Sequence, residues 1–308
     1  MRASDLRHFA ICVLIWSTTW IAITFQLGDV APAVSIFWRF GLAALLLATY
    51  CLARGFALRT TLAAQRELIA MGAFMFCGAY LLIYYAEIYL VSGLVAVGYS
   101  ASPLVNMLTS RIAFGTRISR RVLIGGLLGL AGVVCVFSPE FSRIEADRGA
   151  LLGAVFTAAG VLASAIGNVF SSRAQRHGGN VWQKMAWAMG WGACLAGAIA
   201  LMTGESFELP ASPAYLIALL YLAIAGSIIT FASYLTLLET IGAARAGYIG
   251  VIVPIVALAI SSLFEQYDWH PLAHAGILLA VAGNVFILRR PASPARGTIR
   301  HPAPDPKP

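Results

Sequence analysis

The sequence has few charged residues. Asp, Glu, Lys and Arg make up 11% of its 308 residues, whereas hydrophobic residues make up 60%. A soluble globular chain carries about one quarter charged residues, so the composition excludes an ordinary soluble protein. The formal net charge of +8 comes from basic residues placed between apolar runs. We therefore expect no nucleic-acid partner, because such proteins gather their basic residues on one face or along one helix.

Motifs for catalysis and cofactor binding are also missing. The sequence has no HExxH, GxSxG or P-loop pattern, and its five cysteines stand singly, without a CxxC pair. We predict no enzymatic activity, no cofactor and no metal site. The nearest alternative is His270 with His274, preceded by Glu265 and Asp268. We favour an ordinary helix start there, because Pro271 is typical of a first helical turn.

Long apolar runs are present instead. A transmembrane helix needs about 20 mainly apolar residues. Runs of suitable length occur at 8–26, 34–52, 68–89, 94–114, 122–137, 150–170, 182–201, 213–238, 246–264 and 272–288. The sequence therefore predicts an all-α integral membrane protein with ten transmembrane helices.

The loops between these helices alternate in charge. Basic residues concentrate in every second loop, at 54–66, 117–121 and 173–184, and the remaining loops are mostly acidic. By the positive-inside rule, we predict a bacterial inner-membrane protein with both termini in the cytoplasm. Residues 1–7 would form a cytoplasmic N-terminus, and the proline-rich residues 291–308 a disordered cytoplasmic tail.

The second half of the chain repeats the first. An offset of 151 residues places Pro103 over Pro254, and segment 125–137 over 276–288. Six of the thirteen positions in these two segments are identical, including two glycines seven residues apart. A shared offset for a proline and two spaced glycines indicates a duplication. The unit of this duplication contains five helices.

Five is an odd number, so the two copies cross the membrane in opposite directions. The first repeat, 8–138, and the second, 149–290, are therefore inverted about an axis in the membrane plane, as in many secondary transporters. We expect the substrate site near mid-membrane between them. Pro103 and Pro254 lie near the middle of helices 4 and 9, where proline bends a helix. We interpret them as candidate hinges, and a static kink is the alternative.

Several aromatic side chains lie deeper than the membrane interfaces, where tryptophan and tyrosine normally gather. Pairs spaced four residues apart share one helical face, and amide and hydroxyl groups occur at similar depth. Such a set suits an amphipathic or aromatic solute, although helix packing is the alternative for each member. The predicted cavity residues are Trp16, Thr19, Trp20, Tyr80, Tyr84, Tyr99, Ser102, Asn106, Ser164, Asn168, Trp187, Trp191, Ser227, Thr230, Tyr234 and Tyr248.

No ionisable side chain lies at the centre of a predicted helix. Strongly anionic solutes therefore lack an obvious partner, because buried charges mark the sites of charged ligands. Four charged residues nearer the helix ends are candidate gate or proton-sensing groups: Arg39, Glu87, Arg111 and Glu239. The alternative is that these side chains extend to the interface.

This arrangement resembles the EamA family of the drug/metabolite transporter superfamily, over about residues 8–290. The resemblance rests on ten helices in two inverted halves, the WSTTW segment 16–20, Arg39-Phe40 in helix 2, the paired prolines and the Gly-x6-Gly pattern of helices 5 and 10. The family often has Gly-Glu after helix 4. Here Gly115-Thr116 stands there, and the second half keeps Glu265.

The resemblance implies a carrier that works by alternating access, of the kind that exports aromatic amino acids. It implies a cavity lined by helices 1, 3, 4, 6, 8 and 9, with helices 5 and 10 at the periphery. We favour export of aromatic and other neutral amino acids. The close alternative is multidrug or metabolite efflux within the same superfamily; a channel and an intramembrane enzyme are remote. The expected partners are a small-molecule substrate, the lipid bilayer and, if transport is coupled, protons.

Overall fold

The computed structural model of the protein describes residues 3–28, 30–141, 148–241, 246–265 and 269–288. None of these residues forms a β-strand. Numbered in chain order, the helices are α1 (Ala3–Thr24), α2 (Pro32–Ala53), α3 (Leu62–Tyr89), α4 (92–114), α5 (Arg120–Phe141), α6 (Arg148–Gln175), α7 (Val181–Met202), α8 (213–240), α9 (Ile249–Phe264) and α10 (Pro271–Leu288). The predicted all-α architecture is confirmed. The tail 291–308 lies outside the described residues, and α1 begins within the segment predicted as the N-terminus.

Most of these helices have the length and the surface of membrane-spanning helices. Eight of them are long and apolar enough to cross a bilayer, and α9 is a shorter apolar helix. Helix α4 is interrupted by a 3-10 turn at Tyr99–Ala101, just before Pro103. Large apolar side chains such as Leu45, Ile112 and Leu278 are exposed on the outer surface. Acyl chains would cover such side chains in a membrane.

The duplication is also visible in the backbone. Helix α3 contains a π-helical segment at Gly72–Gly78, and α8 contains one at Tyr221–Ile229. The offset of 151 residues places the first of these segments over 223–229, inside the second. Because π-helical segments are rare and local, two at matching positions indicate that both halves keep one backbone design.

Equivalent helices of the two halves pack against each other. The most extensive packing is between α5 and α10, followed by that between α2 and α7. Helix α1 also packs on α8 and α9, and α6 packs on α3 and α4 in the same way. A contact between equivalent surfaces is expected about a two-fold axis. The two halves therefore form one body with pseudo-two-fold symmetry.

The repeated glycines allow α5 and α10 to approach closely. A Cβ atom built on Gly132 would lie 2.5 Å from the carbonyl oxygen of Gly276, and one on Gly125 would lie 2.5 Å from that of Gly283. These two contacts are exchanged by the 151-residue offset. Only glycine allows two helix backbones to come this close. The glycines that reveal the repeat in the sequence thus form the contact between its copies.

We expect Gly132→Ala to destabilise the protein by about 1–3 kcal/mol, because the added methyl group overlaps the backbone of α10. Gly129→Ala is the matched control. It makes the same change on the same helix, but its Cβ would meet the nearest atom, a carbonyl oxygen, at 3.5 Å. Thermal unfolding of the purified protein in detergent measures both variants. Equal melting temperatures for the two would contradict the proposed helix contact.

Candidate solute cavity

A cavity of about 550 Å³ lies between the two halves. Helices α1 to α4 supply one part of its lining, and α6, α8, α9 and α10 supply the other. The volume is within the range of small-molecule sites, about 300–1,000 Å³. Two features differ from the expected lining. Arg39 of α2 and the end of α10, with Asn284 and Leu288, also face the cavity.

Aromatic rings from both halves form the walls. The rings of Trp20 and Tyr99 lie 5.3 Å apart between centroids, and Trp16 lies 5.4 Å from Tyr234 and 5.6 Å from Phe231. These distances are typical of favourable aromatic pairs. The first of these pairs joins α1 to α4, and the other two join α1 to α8. The rings thus hold each other in place and still present surface to a solute.

The polar groups of the lining are amides and hydroxyls. Asn168 donates a hydrogen bond from Nδ2 to Oδ1 of Asn106, at 3.2 Å. The hydroxyls of Tyr99 and Ser164 lie 3.4 Å apart. Asn284 donates to the carbonyl oxygen of Ala280, at 2.9 Å. A carboxamide offers two donors and two lone pairs, so these side chains have capacity left for a ligand.

The structure brings most of the predicted cavity residues together. Tyr80 of α3 faces the cavity, as do both candidate hinge residues. Pro103 is the second residue of the part of α4 that follows the 3-10 turn, and Pro254 lies within the second turn of α9. The predicted residues that line the cavity are Trp16, Thr19, Trp20, Tyr80, Tyr99, Ser102, Asn106, Ser164, Asn168 and Tyr234.

Three predicted aromatic residues lie outside the cavity, because their polar atoms find partners within the helix packing. Tyr84 is fully buried, and its hydroxyl donates to Oε1 of Gln26 at 2.7 Å. The indole of Trp187 donates to the carbonyl of Leu58, and that of Trp191 donates to Gln65. Trp187 and Trp191 do share one helical face, since their rings stack with centroids 6.4 Å apart. Which neighbour that face meets depends on the tertiary structure.

Three further predicted residues also lie outside the lining. Ser227 and Thr230 are buried, and each hydroxyl donates to the carbonyl five residues earlier in or near the π-helical segment of α8. This local bonding satisfies the side chains without a solute. Tyr248 is partly buried before α9, and only its neighbours Gly247 and Ile249 face the cavity.

The four candidate gate residues occupy different environments. Arg39 and Glu87 are only 1% and 7% exposed, so neither extends to an interface as the alternative reading supposed. Arg111 is exposed, and its guanidinium donates to the carbonyls of Gly115 and Thr116 at the end of α4. The side chain of Glu239 lies outside the described residues. The three described side chains therefore do not share one environment.

The acidic residue kept in the second half has a structural contact. Glu265, just after α9, accepts hydrogen bonds from the backbone N–H and the hydroxyl of Ser92, the first residue of α4. A carboxylate at a helix N-terminus satisfies free donors and complements the helix dipole. Glu265 thus ties the two repeats together, at the end of the cavity far from the basic loops.

Sequence reasoning missed several lining residues. Met75, Phe76, Ile83 and Phe231 face the cavity, but apolar residues of this kind carry no signal that separates a lining position from a packing position. Asn284 did carry a signal. It is an amide where the equivalent residue of the first half, Val133, is apolar.

Comparisons with known proteins agree with this architecture. A model of the EamA-like transporter family matches residues 8–138 and 151–289, one match in each half. The chain is 28% identical over 279 residues to "Uncharacterized inner membrane transporter YedA" of Escherichia coli, covering 87% of this chain and 86% of the relative. It is 26% identical to "Uncharacterized transporter YoaV" of Bacillus subtilis, covering 90% and 95% of the two chains.

A third relative, "Probable amino-acid metabolite efflux pump" of Salmonella typhimurium, is 23% identical, over 90% of this chain and 93% of its own length. A solved crystal structure has the same fold, with a TM-score of 0.67 and 20% identity, and covers 93% of this chain and 96% of that one. The family match spans both repeats, and the named relatives are described as transporters. The chain belongs to the EamA-like transporter family and is a multi-pass membrane transporter.

Proposed function

We propose that this transporter exports amino acids, aromatic and other neutral ones, from the cytoplasm. The observation that carries the proposal is the cavity itself, where paired aromatic rings stand beside amides and hydroxyls between two inverted halves. Rings bind the apolar part of an amino acid, and the polar groups orient its charged end. The name of the Salmonella relative points to the same class of solute.

The proposed mechanism is alternating access. The lining reaches Leu288, at the end of α10 next to the basic residues 289–290, and Asn168 there is exposed. At the opposite end, near Arg39, Tyr84 and Gln26 are buried and hydrogen-bonded to each other. The cavity therefore reaches towards the side with the basic loops. Rocking of the halves about α5 and α10 would open the other side.

The first test is flux in liposomes reconstituted with the purified protein. Labelled phenylalanine, tryptophan and threonine are compared with a cationic dye, each with and without a pH gradient. We expect saturable amino-acid flux. Dependence on the pH gradient would indicate coupling to protons, and its absence would indicate facilitated diffusion. Flux of the dye alone would replace this proposal by multidrug efflux, and no flux of any of these solutes would refute it.

We expect Trp20→Leu to lower phenylalanine flux about 3- to 10-fold, because the variant removes one aromatic ring from the wall. Trp191→Leu is the matched control, since its indole bonds to Gln65 outside the cavity. Flux is normalised to folded protein recovered by size-exclusion chromatography. An equal loss in both variants would contradict a specific role for the aromatic wall.

We expect the double variant Pro103→Ala with Pro254→Ala to slow flux about 10-fold while ligand binding is kept, if these helix breaks act as hinges. Pro213→Ala, at the exposed first turn of α8, is the control. Binding is followed by thermal stabilisation and flux by the liposome assay. Normal flux in the double variant would leave the prolines as static kinks.

We expect both chain termini to lie in the cytoplasm, because the loops on that side carry most of the basic residues. Green fluorescent protein fused after Pro308 should fluoresce in bacterial cells, whereas alkaline phosphatase fused there should be inactive. Fusions after Gly204, in a loop on the other side, should give the reverse result. Active phosphatase after Pro308 would invert the proposed topology.

A further inference from the structure

A positive charge is buried at one end of the cavity. Arg39 lies in the second turn of α2, about 10 Å from the start of that helix, and its side chain is 1% exposed. The Cζ atom lies 4.6 Å from the ring centre of Tyr80 and 5.0 Å from that of Phe40. Stacking of this kind uses the faces of the guanidinium and leaves its N–H donors, which lie in the plane, for other partners.

The donors of Arg39 are not fully used within the protein. Among the described residues, its Nε and Nη1 atoms have no hydrogen-bond partner, although both are shielded from solvent. The nearby acid does not use them, since both carboxylate oxygens of the buried Glu87 also lack a hydrogen-bond partner there. An unpaired buried charge is costly, and a charged ligand group that bonds to it removes that cost.

The lining of the cavity contains little charge. Among the described residues that line it, Arg39 alone has a side chain that is charged in water at neutral pH, and the others are aromatic, aliphatic, thioether, amide or hydroxyl residues. One fixed positive charge matches one negative charge on the solute. A dianion such as a phosphate monoester would keep an unpaired charge in an apolar site, whereas a single carboxylate would be neutralised. Guanidinium groups also match the planar geometry of a carboxylate.

We propose that Arg39 binds the carboxylate of the transported solute, with the aromatic body of that solute lying against Tyr80, Trp20 and Tyr99. This inference rests on the proposed function and specifies its substrate class: aromatic solutes with one carboxylate. It also gives the solute a direction in the cavity. The carboxylate lies at the end closed by Tyr84 and Gln26, and the rest of the molecule extends towards Asn106 and Asn168.

Three probes with the same ring test this assignment. Phenylalanine has a carboxylate and an ammonium group, 3-phenylpropionate has only the carboxylate, and phenethylamine has only the ammonium group. Binding to the purified protein is measured by ligand-induced thermal stabilisation, which follows affinity. We expect the wild-type protein to bind phenylalanine and 3-phenylpropionate more tightly than phenethylamine.

Arg39→Met keeps a long apolar side chain and removes the charge. We expect this variant to bind phenylalanine and 3-phenylpropionate about 10- to 100-fold more weakly, because it loses a hydrogen bond between charged groups. Its affinity for phenethylamine should not decrease. Arg54→Met is the matched control, because Arg54 is exposed and directly follows the same helix. It should behave as the wild type. The affinity of Arg39→Lys for the two carboxylates should lie between that of the wild type and that of Arg39→Met, since lysine keeps the charge but lacks the planar donors.

Folding can be separated from binding. Because Arg39→Met removes a buried charge whose Nε and Nη1 donors lack partners among the described residues, its melting temperature without ligand should not fall below that of the wild type. Unchanged binding of 3-phenylpropionate in Arg39→Met would overturn the inference, as would wild-type protein that binds none of the carboxylates. Phenylalanine flux distinguishes the two proposals. Undiminished flux in Arg39→Met refutes only the role of Arg39, whereas carboxylate binding without amino-acid flux in the wild type refutes only the proposed export.

Discussion

The close contact between α5 and α10 is the constraint on which the rest of the structure depends. Four glycines bring the two backbones together, and an added methyl group at Gly132 would come within 2.5 Å of the opposite chain. Because the same four positions are related by the repeat, the contact sits where a two-fold axis requires it. The two halves meet along this contact and along the contact of α2 with α7, and the cavity lies between them.

The symmetry of the scaffold does not extend to the chemistry of the cavity. The position equivalent to Arg39 in the second half is Gly190, and the position equivalent to Asn284 in the first half is Val133. An inverted repeat with identical linings would present the same groups to both sides of the membrane. The single buried guanidinium breaks that equivalence. It gives the cavity one charged end, at Arg39, and one neutral end, at the amides of Asn106 and Asn168; under our proposal this difference orients a solute with unlike ends.

The buried polar groups near the far end of the cavity differ in how they are satisfied. Tyr84 bonds to Gln26, and Glu265 bonds to Ser92, so these groups join helices. Arg39 and Glu87 keep atoms without partners among the described residues. Satisfied pairs hold helix ends together, whereas unsatisfied charges are available to a ligand or to a rearrangement.

The ten helices, the five-helix repeat and the glycines between its copies could be predicted from the sequence, because helix length and periodicity are local properties. Ten of the sixteen residues predicted to line a cavity do face it. Which helix faces meet the cavity depends on how the helices pack, and packing is not a local property. Trp16 and Trp191 each belong to a pair of tryptophans four residues apart, but Trp191 bonds to Gln65 whereas Trp16 faces the cavity. The burial of Arg39 also depends on the tertiary structure. The position of a residue along a helix predicts its depth in the membrane, but it does not predict whether the side chain faces lipid or the protein interior.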